Sequence, residues 1–366
     1  MVSMHTQSAS RSFASGVATP LRTRRSLATW LFTCCAMIFL MVLIGGATRL
    51  TESGLSITEW QPVRGVIPPL SDAQWMHEFE RYQAIPQYRA IHADMTLGEF
   101  KTIFMWEYVH RLWGRLIGLV FFVPFLWFLW RRNIPWSLVP KLAGLFVLGG
   151  LQGALGWYMV ESGLEARVEV SQYRLAAHLA AALVIYLAML WVALDLWPRR
   201  IASVDVSARL RRVLGAVLAL ALLTMLAGAF VAGLRGGLVY NTFPFMNGYV
   251  VAPDYGTLSP WYRNPFENPV AAQFDHRVLA ELTWLAAVSL WLYGRRLGIG
   301  PGLKRVLAIV AAVATLQAGL GIATLVLVVP IPVALLHQAG ALMLLTALTV
   351  ALHRARPLAR VAAAAL

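Results

Sequence analysis

Eight apolar stretches of about 20 residues, at about 28–48, 109–130, 141–160, 174–196, 212–233, 273–293, 304–329 and 333–352, constrain this chain more than any other feature. Each is long enough to cross about 30 Å of hydrocarbon as a helix, and inside hydrocarbon every backbone polar group needs a partner within its own segment. The expected fold class is an all-α integral membrane protein with eight transmembrane helices. Composition agrees: 59% hydrophobic and 13% charged residues in a chain of 366 leave too little polar surface for a soluble domain of that length.

Charge sets the expected orientation. Of 31 Lys and Arg, 19 lie in the N-terminal tail, in the connections around 131–141, 199–212 and 295–305, and after 353, whereas 14 of the 17 acids lie on the other side. The positive-inside rule then puts both termini in the cytoplasm, or in the matrix of an organelle. The net charge of +14 becomes an orientation signal, so the expected partner is the lipid bilayer and no nucleic acid is expected. Residues 1–27 read as a basic cytoplasmic tail, with an organellar presequence as the rival reading. Cys34 and Cys35 are neighbours in the first apolar run, where they cannot easily bridge, and no loop cysteine exists to pair with them.

Two outer connections, 49–106 and 234–271, are long and rich in Pro, Trp and Tyr, as in Glu59-Trp60-Gln61-Pro62 and Asn241-Thr242-Phe243-Pro244-Phe245. They read as folded caps on the membrane surface.

The chain repeats itself. Glu107-Tyr108-Val109-His110-Arg111 matches Gln273-Phe274-Asp275-His276-Arg277 at an offset of 166, and the Leu151–Gly156 run matches Leu316–Gly321 at an offset of 165. His178 faces His337 at an offset of 159. Four spans per unit give both copies one orientation. The expected organisation is two tandem, parallel-oriented four-helix bundles related by pseudo-two-fold symmetry. The N-terminal half is 28–198, the linker 199–211, the C-terminal half 212–353 and the C-terminal tail 354–366.

Among eight histidines, His5, His77, His92 and His353 fall in tails or loops, where solvated or packing roles are the default. The other four, His110, His178, His276 and His337, lie on alternate spans in register with the repeat, at one expected depth near the outer surface. Two pairs of facing imidazoles with an apolar slot between them are what bis-histidine haem ligation needs. Zinc usually wants three or four ligands, and neither half supplies them in its spans; copper is not excluded by these residues. One haem is expected between His110 and His178 and another between His276 and His337. Arg111 and Arg277 are candidate propionate partners, with snorkelling to the interface as the alternative.

The halves differ in their ionisable groups: Gln273 stands at the position of Glu107, and Glu281 at that of Arg115, both at an offset of 166. A carboxylate beside one haem can act as base, proton acceptor or electrostatic stabiliser, or it can be an acid favoured by the helix dipole at an exposed N-terminus. Three functions use this arrangement: oxidation of one haem with the other as cofactor, plain di-haem b electron transfer, and haem transport or chaperoning.

The Gly45–Ser56 run, Glu107–Arg111, Leu151–Gly156 and Phe274–Arg277 resemble the haem A synthase family, over nearly the whole chain from Trp30 to His353. The resemblance implies an enzyme that oxidises the C8 methyl group of haem O to the formyl group of haem A, for cytochrome oxidase. It implies Glu107 as the catalytic carboxylate, His110 and His178 flanking the substrate haem, and His276 and His337 holding a haem b cofactor. It also implies a haem O synthase and cytochrome oxidase assembly factors as partners, and is compatible with a homo-oligomer. One branch of the family has a cysteine pair in an outer loop that this chain lacks, which puts any disulfide-based electron route in doubt here and brings the chain closer to the proteobacterial and mitochondrial branch. The Ala- and Arg-rich composition and short N-terminus favour a bacterial cell inner membrane over a mitochondrial one.

Overall fold

The structure is a computed structural model, and it describes residues 20–59, 64–164, 168–197 and 206–357. Trp60, Gln61 and Pro62, most of the tail 1–27, much of the linker 199–211 and the end of the tail 354–366 lie outside the described residues. Among the described residues the regular structure is all helical: α1 (Leu21–Leu50), α2 (Asp72–Gln83), α3 (Pro86–Ile91), α4 (Leu97–Trp130), α5 (Val139–Leu164), α6 (Gln172–Leu196), α7 (Ala208–Gly233), α8 (Asn264–Glu267), α9 (Pro269–Arg296), α10 (Pro301–Val326) and α11 (Ile331–Arg354).

Seven of these, α1, α4, α5, α6, α7, α10 and α11, are long and apolar enough to cross a membrane, so the chain is a multi-pass membrane protein. Helix α9 has 28 residues, ample length for a span, but Asp275, Arg277, Glu281, Arg295 and Arg296 lower its apolarity. It packs against α7 and α10, while α1 packs against α4 and α6. The two groups meet where α6 lies on α7 and α11, and α1 on α11.

Lipid tails are as apolar as leucine, so close packing and polar contacts hold such helices together. The Trp30 indole N–H donates to the Val120 carbonyl at 2.8 Å, and that of Trp113 to the Met37 carbonyl at 2.9 Å, which ties α1 to α4 twice. Tyr186 on α6 shares a hydrogen bond of 2.8 Å with Thr346 on α11. Interhelical bonds of this kind average about 0.6 kcal/mol in membranes, so the bundle rests on many small terms.

Three boundaries differ from expectation. The first helix starts at Leu21, so Arg22, Arg24 and Arg25 belong to it. Helix α4 starts at Leu97, ten residues before Glu107, because Thr96 and Glu99 form a reciprocal capping box and Phe100, Ile103 and Phe104 bury one face. Those side chains pack with Leu55, Phe79, Tyr82 and Ile85 into a cluster separate from the main core, so the segment before Glu107 is a folded cap. Third, His353 is fully buried on α11 rather than in a tail: its Nε2 lies 2.7 Å from Asp195 on α6 and its ring meets Trp191 edge-on.

Candidate functional site

Position 107 lies in the third turn of α4, so a dipole-stabilised exposed N-terminal acid does not describe it; Glu107 is 2% exposed. Its Oε2 accepts from Ser56 Oγ and from the Ile57 backbone N–H, both at 2.8 Å. Its Oε1 accepts from Arg111 Nη2 at 2.6 Å and from Nε at 3.1 Å. Arg111 also donates to the carbonyls of Ile57 at 2.8 Å and Glu59 at 3.0 Å. The chain after α1 is thereby folded down over the carboxylate, with Leu55 and Ser56 almost fully buried above it.

The second copy keeps this frame and inverts its polarity. Gln273, also 2% exposed, donates through Nε2 to the carbonyls of Gly236 at 2.8 Å and Tyr240 at 3.1 Å, while its Oε1 accepts from Arg277 at 3.2 Å. Arg277 holds the same loop through the carbonyls of Tyr240 and Thr242. The first loop presents donors and the second presents acceptors, so a carboxylate satisfies one and an amide the other.

Each of the four repeat histidines rests against a glycine of a neighbouring helix. A Cβ built on Gly45 would lie 3.3 Å from His110 Nε2, and one on Gly156, Gly228 or Gly321 would lie 3.0, 3.0 or 2.8 Å from Cε1 of His178, His276 or His337. Those distances are at or inside van der Waals contact, so glycine is what lets each imidazole lie flat on its neighbour. His276 Nδ1 lies 3.0 Å from the Thr224 carbonyl. Gln152 and Gln317, at matching repeat positions, reach Nδ1 of His178 and His337 at 3.2 and 3.0 Å.

The His276 and His337 rings are 6.4 Å apart between centroids and nearly perpendicular, at 87°. That gap accommodates one metal ion bonded to both rings at about 2 Å, the usual length for imidazole nitrogen.

Glu107, His110, Arg111, His178, His276, Arg277 and His337 all line one cavity of about 1610 Å³, with mostly apolar walls. A typical small-molecule pocket is about 300–1,000 Å³, so this space exceeds one ligand's needs. Gly45 and Ser56 bound the run that carries the family resemblance, whereas Thr224 stands in no motif. Gly156 and Gly321 were visible at one position of the repeated Leu-Gln motif, but nothing in the order of residues marks Gly228 as facing a histidine.

Fold and cavity together define a polytopic membrane protein with paired imidazoles in one cavity and, among the described residues, one buried carboxylate, Glu107, beside one pair. Residues 28–349 match the model of the COX15-CtaA family, described as cytochrome oxidase assembly protein, and the chain belongs to that family. It is 51% identical over 333 residues to a protein of Rhodospirillum centenum named "Heme A synthase", an alignment covering 91% of this chain and 89% of that one. A protein of the same name from Nitrosospira multiformis is 49% identical over 328 residues (88% and 92%), and one from Rhodopseudomonas palustris is 48% identical over 352 residues (96% of each).

Proposed function

We propose that this protein is a haem A synthase, oxidising the C8 methyl group of haem O to a formyl group by two successive hydroxylations and loss of water, a four-electron oxidation that draws on an oxidant from outside this chain. One observation carries the reading: two histidine pairs share one cavity, yet a buried, arginine-held carboxylate stands beside only one of them. An electron carrier needs both pairs and no such group. Relatives of about half identity bear the synthase name.

In this reading α9 is the eighth span, and the chain forms two tandem four-helix halves in one orientation, the first for substrate and the second for cofactor. The protein lies in a bacterial inner membrane with both termini cytoplasmic, and it works with a haem O source and with cytochrome oxidase assembly.

The residues fit haem. The Oε1 atoms of Gln152 and Gln317 are buried without a partner beside imidazole Nδ1 atoms. Turning the Gln317 amide pairs His337 Nδ1–H with that oxygen and leaves Nε2 bare for a metal, whereas Gln152 Nε2 also donates to the His178 carbonyl at 2.9 Å and holds its amide as it stands. His276, whose Nδ1 can donate to Thr224, is already so arranged. We assign His276 and His337 to haem b, which when bound supplies one-electron transfer. His110 and His178 hold the iron of the substrate haem. Arg277 Nε is buried without a partner and suits a propionate, whereas Arg111 is committed to Glu107 and the cap.

Glu107 lies one turn from His110 on the same face of α4. Fixed by Arg111, Ser56 and Ile57 N–H, it presents negative charge where the methyl group loses electrons and protons, as proton acceptor or electrostatic stabiliser. The cap over it excludes water from that side.

Co-expression with a haem O source, followed by pigment extraction and chromatography, tests the reading. Haem A accumulates with the parent protein; its absence there overturns the assignment.

A further inference from the structure

The two histidine sites are walled differently. In the second, α9 and α10 are joined across their seam by a hydrogen bond of 3.1 Å from the Trp284 indole to Thr315 Oγ1. The repeat offsets of 166 and 165 carry these positions onto Gly118 and Gly150 in the first site, where no such bond can form. All four residues line the cavity.

The glycines here are unlike those under the histidines. A Cβ at Gly118, Gly149, Gly150 or Gly153 would meet nothing within 4 Å, so no neighbour requires them to be small. Glycine inside a helix is disfavoured against alanine, and packing does not offset that here. Helix α5 has no buried residue from Phe146 to Ser162, whereas the matching stretch of α10 buries Ala311 and Ala314. Phe146, at the position of buried Ala311, is 39% exposed, and its ring stacks on Phe122 of α4 at 4.8 Å, which closes the seam one turn along from Gly118 and Gly150 and confines the gap to the glycines.

We propose that the seam between α4 and α5, at Gly118 and Gly150, is a side opening of the first histidine site toward the bilayer that takes the long apolar tail of a haem. The inference rests on the assignment of that site to the substrate. A haem with a long hydrocarbon tail cannot be enclosed with its tail in a sealed bundle without a correspondingly large cavity, whereas an open seam lets the tail lie in lipid. The stapled second site suits a tail-less haem that is not exchanged.

Restoring the staple tests this. Gly118→Trp/Gly150→Thr is expected to lower haem A formation more than tenfold, with the haem b spectrum of the second site intact as evidence of folding. Undiminished haem A from that folded variant overturns the proposal. Should the Trp perturb folding, Gly118→Cys/Gly150→Cys with Cys34 and Cys35 replaced by Ala provides a reversible version. Bridging with a bifunctional methanethiosulfonate should abolish turnover and a thiol reductant should restore it; equal turnover before and after bridging overturns the opening. Failure of the parent protein to make haem A is a different result, and it removes the functional reading itself.

Discussion

Arg111 places two donors on one oxygen of Glu107, at 2.6 and 3.1 Å, while that carboxylate's other oxygen takes Ser56 and the Ile57 N–H. The same four contacts fix the cap and orient the acid. Glu107→Ala should therefore abolish haem A formation and loosen the cap, measured by pigment chromatography and by proteolysis of residues 72–91.

Glu107→Gln separates the two effects. The amide N–H₂ cannot accept, so the donors on the side it faces, either Ser56 and the Ile57 N–H or Arg111, lose their partner, at a cost of about 1–3 kcal/mol for each group left unpaired. Haem A formation should fall at least tenfold while second-site haem b is retained. Wild-type haem A yield in Glu107→Gln would remove the carboxylate from the chemistry.

The second pair should report on its own haem. His276→Ala or His337→Ala should lose the haem b absorbance of the purified protein, and His110→Ala should keep it. Haem b undiminished in either of the first two variants would contradict the ligand assignment.

Glycine seats offer a finer test. Gly321→Ala places a methyl 2.8 Å from His337 Cε1, so the ring must move, and the haem signals in electron paramagnetic resonance should shift. Gly144→Ala, where a Cβ meets nothing within 4 Å, should leave them as they are.

A pH dependence follows from the cap. Burial, reinforced by Glu52 and Glu107, raises the Tyr82 hydroxyl above its ordinary 10.0. The unfolded cap ionises first, so this contribution to stability is full below about pH 10 and is lost as pH rises toward the folded value. Near-ultraviolet circular dichroism should show the cap loosening above pH 10, and Tyr82→Phe should weaken that alkaline step.

Most of the helices were legible because apolar length is a local property: seven of the eight stretches expected to span became helices apolar enough to do so, and the eighth became α9. The repeat likewise named His110, His178, His276 and His337 without any geometry. The start of α4 was not legible, since Phe100, Ile103 and Phe104 count as buried only once Phe79 and Tyr82 fold back on them. His353 was misplaced for a similar reason, because its partner Asp195 is 158 residues away.

The sequence by itself determined a helical membrane chain, a doubled histidine pattern and one position where Glu replaces Gln, all properties of composition and spacing. Only the tertiary structure decided why that replacement fits, because the loops over Glu107 and Gln273 present backbone donors in one case and carbonyls in the other. It also decided which glycines seat an imidazole and which leave a wall open. A glycine's meaning lies in what stands opposite it, and that is fixed by helix packing, not by neighbours in the chain.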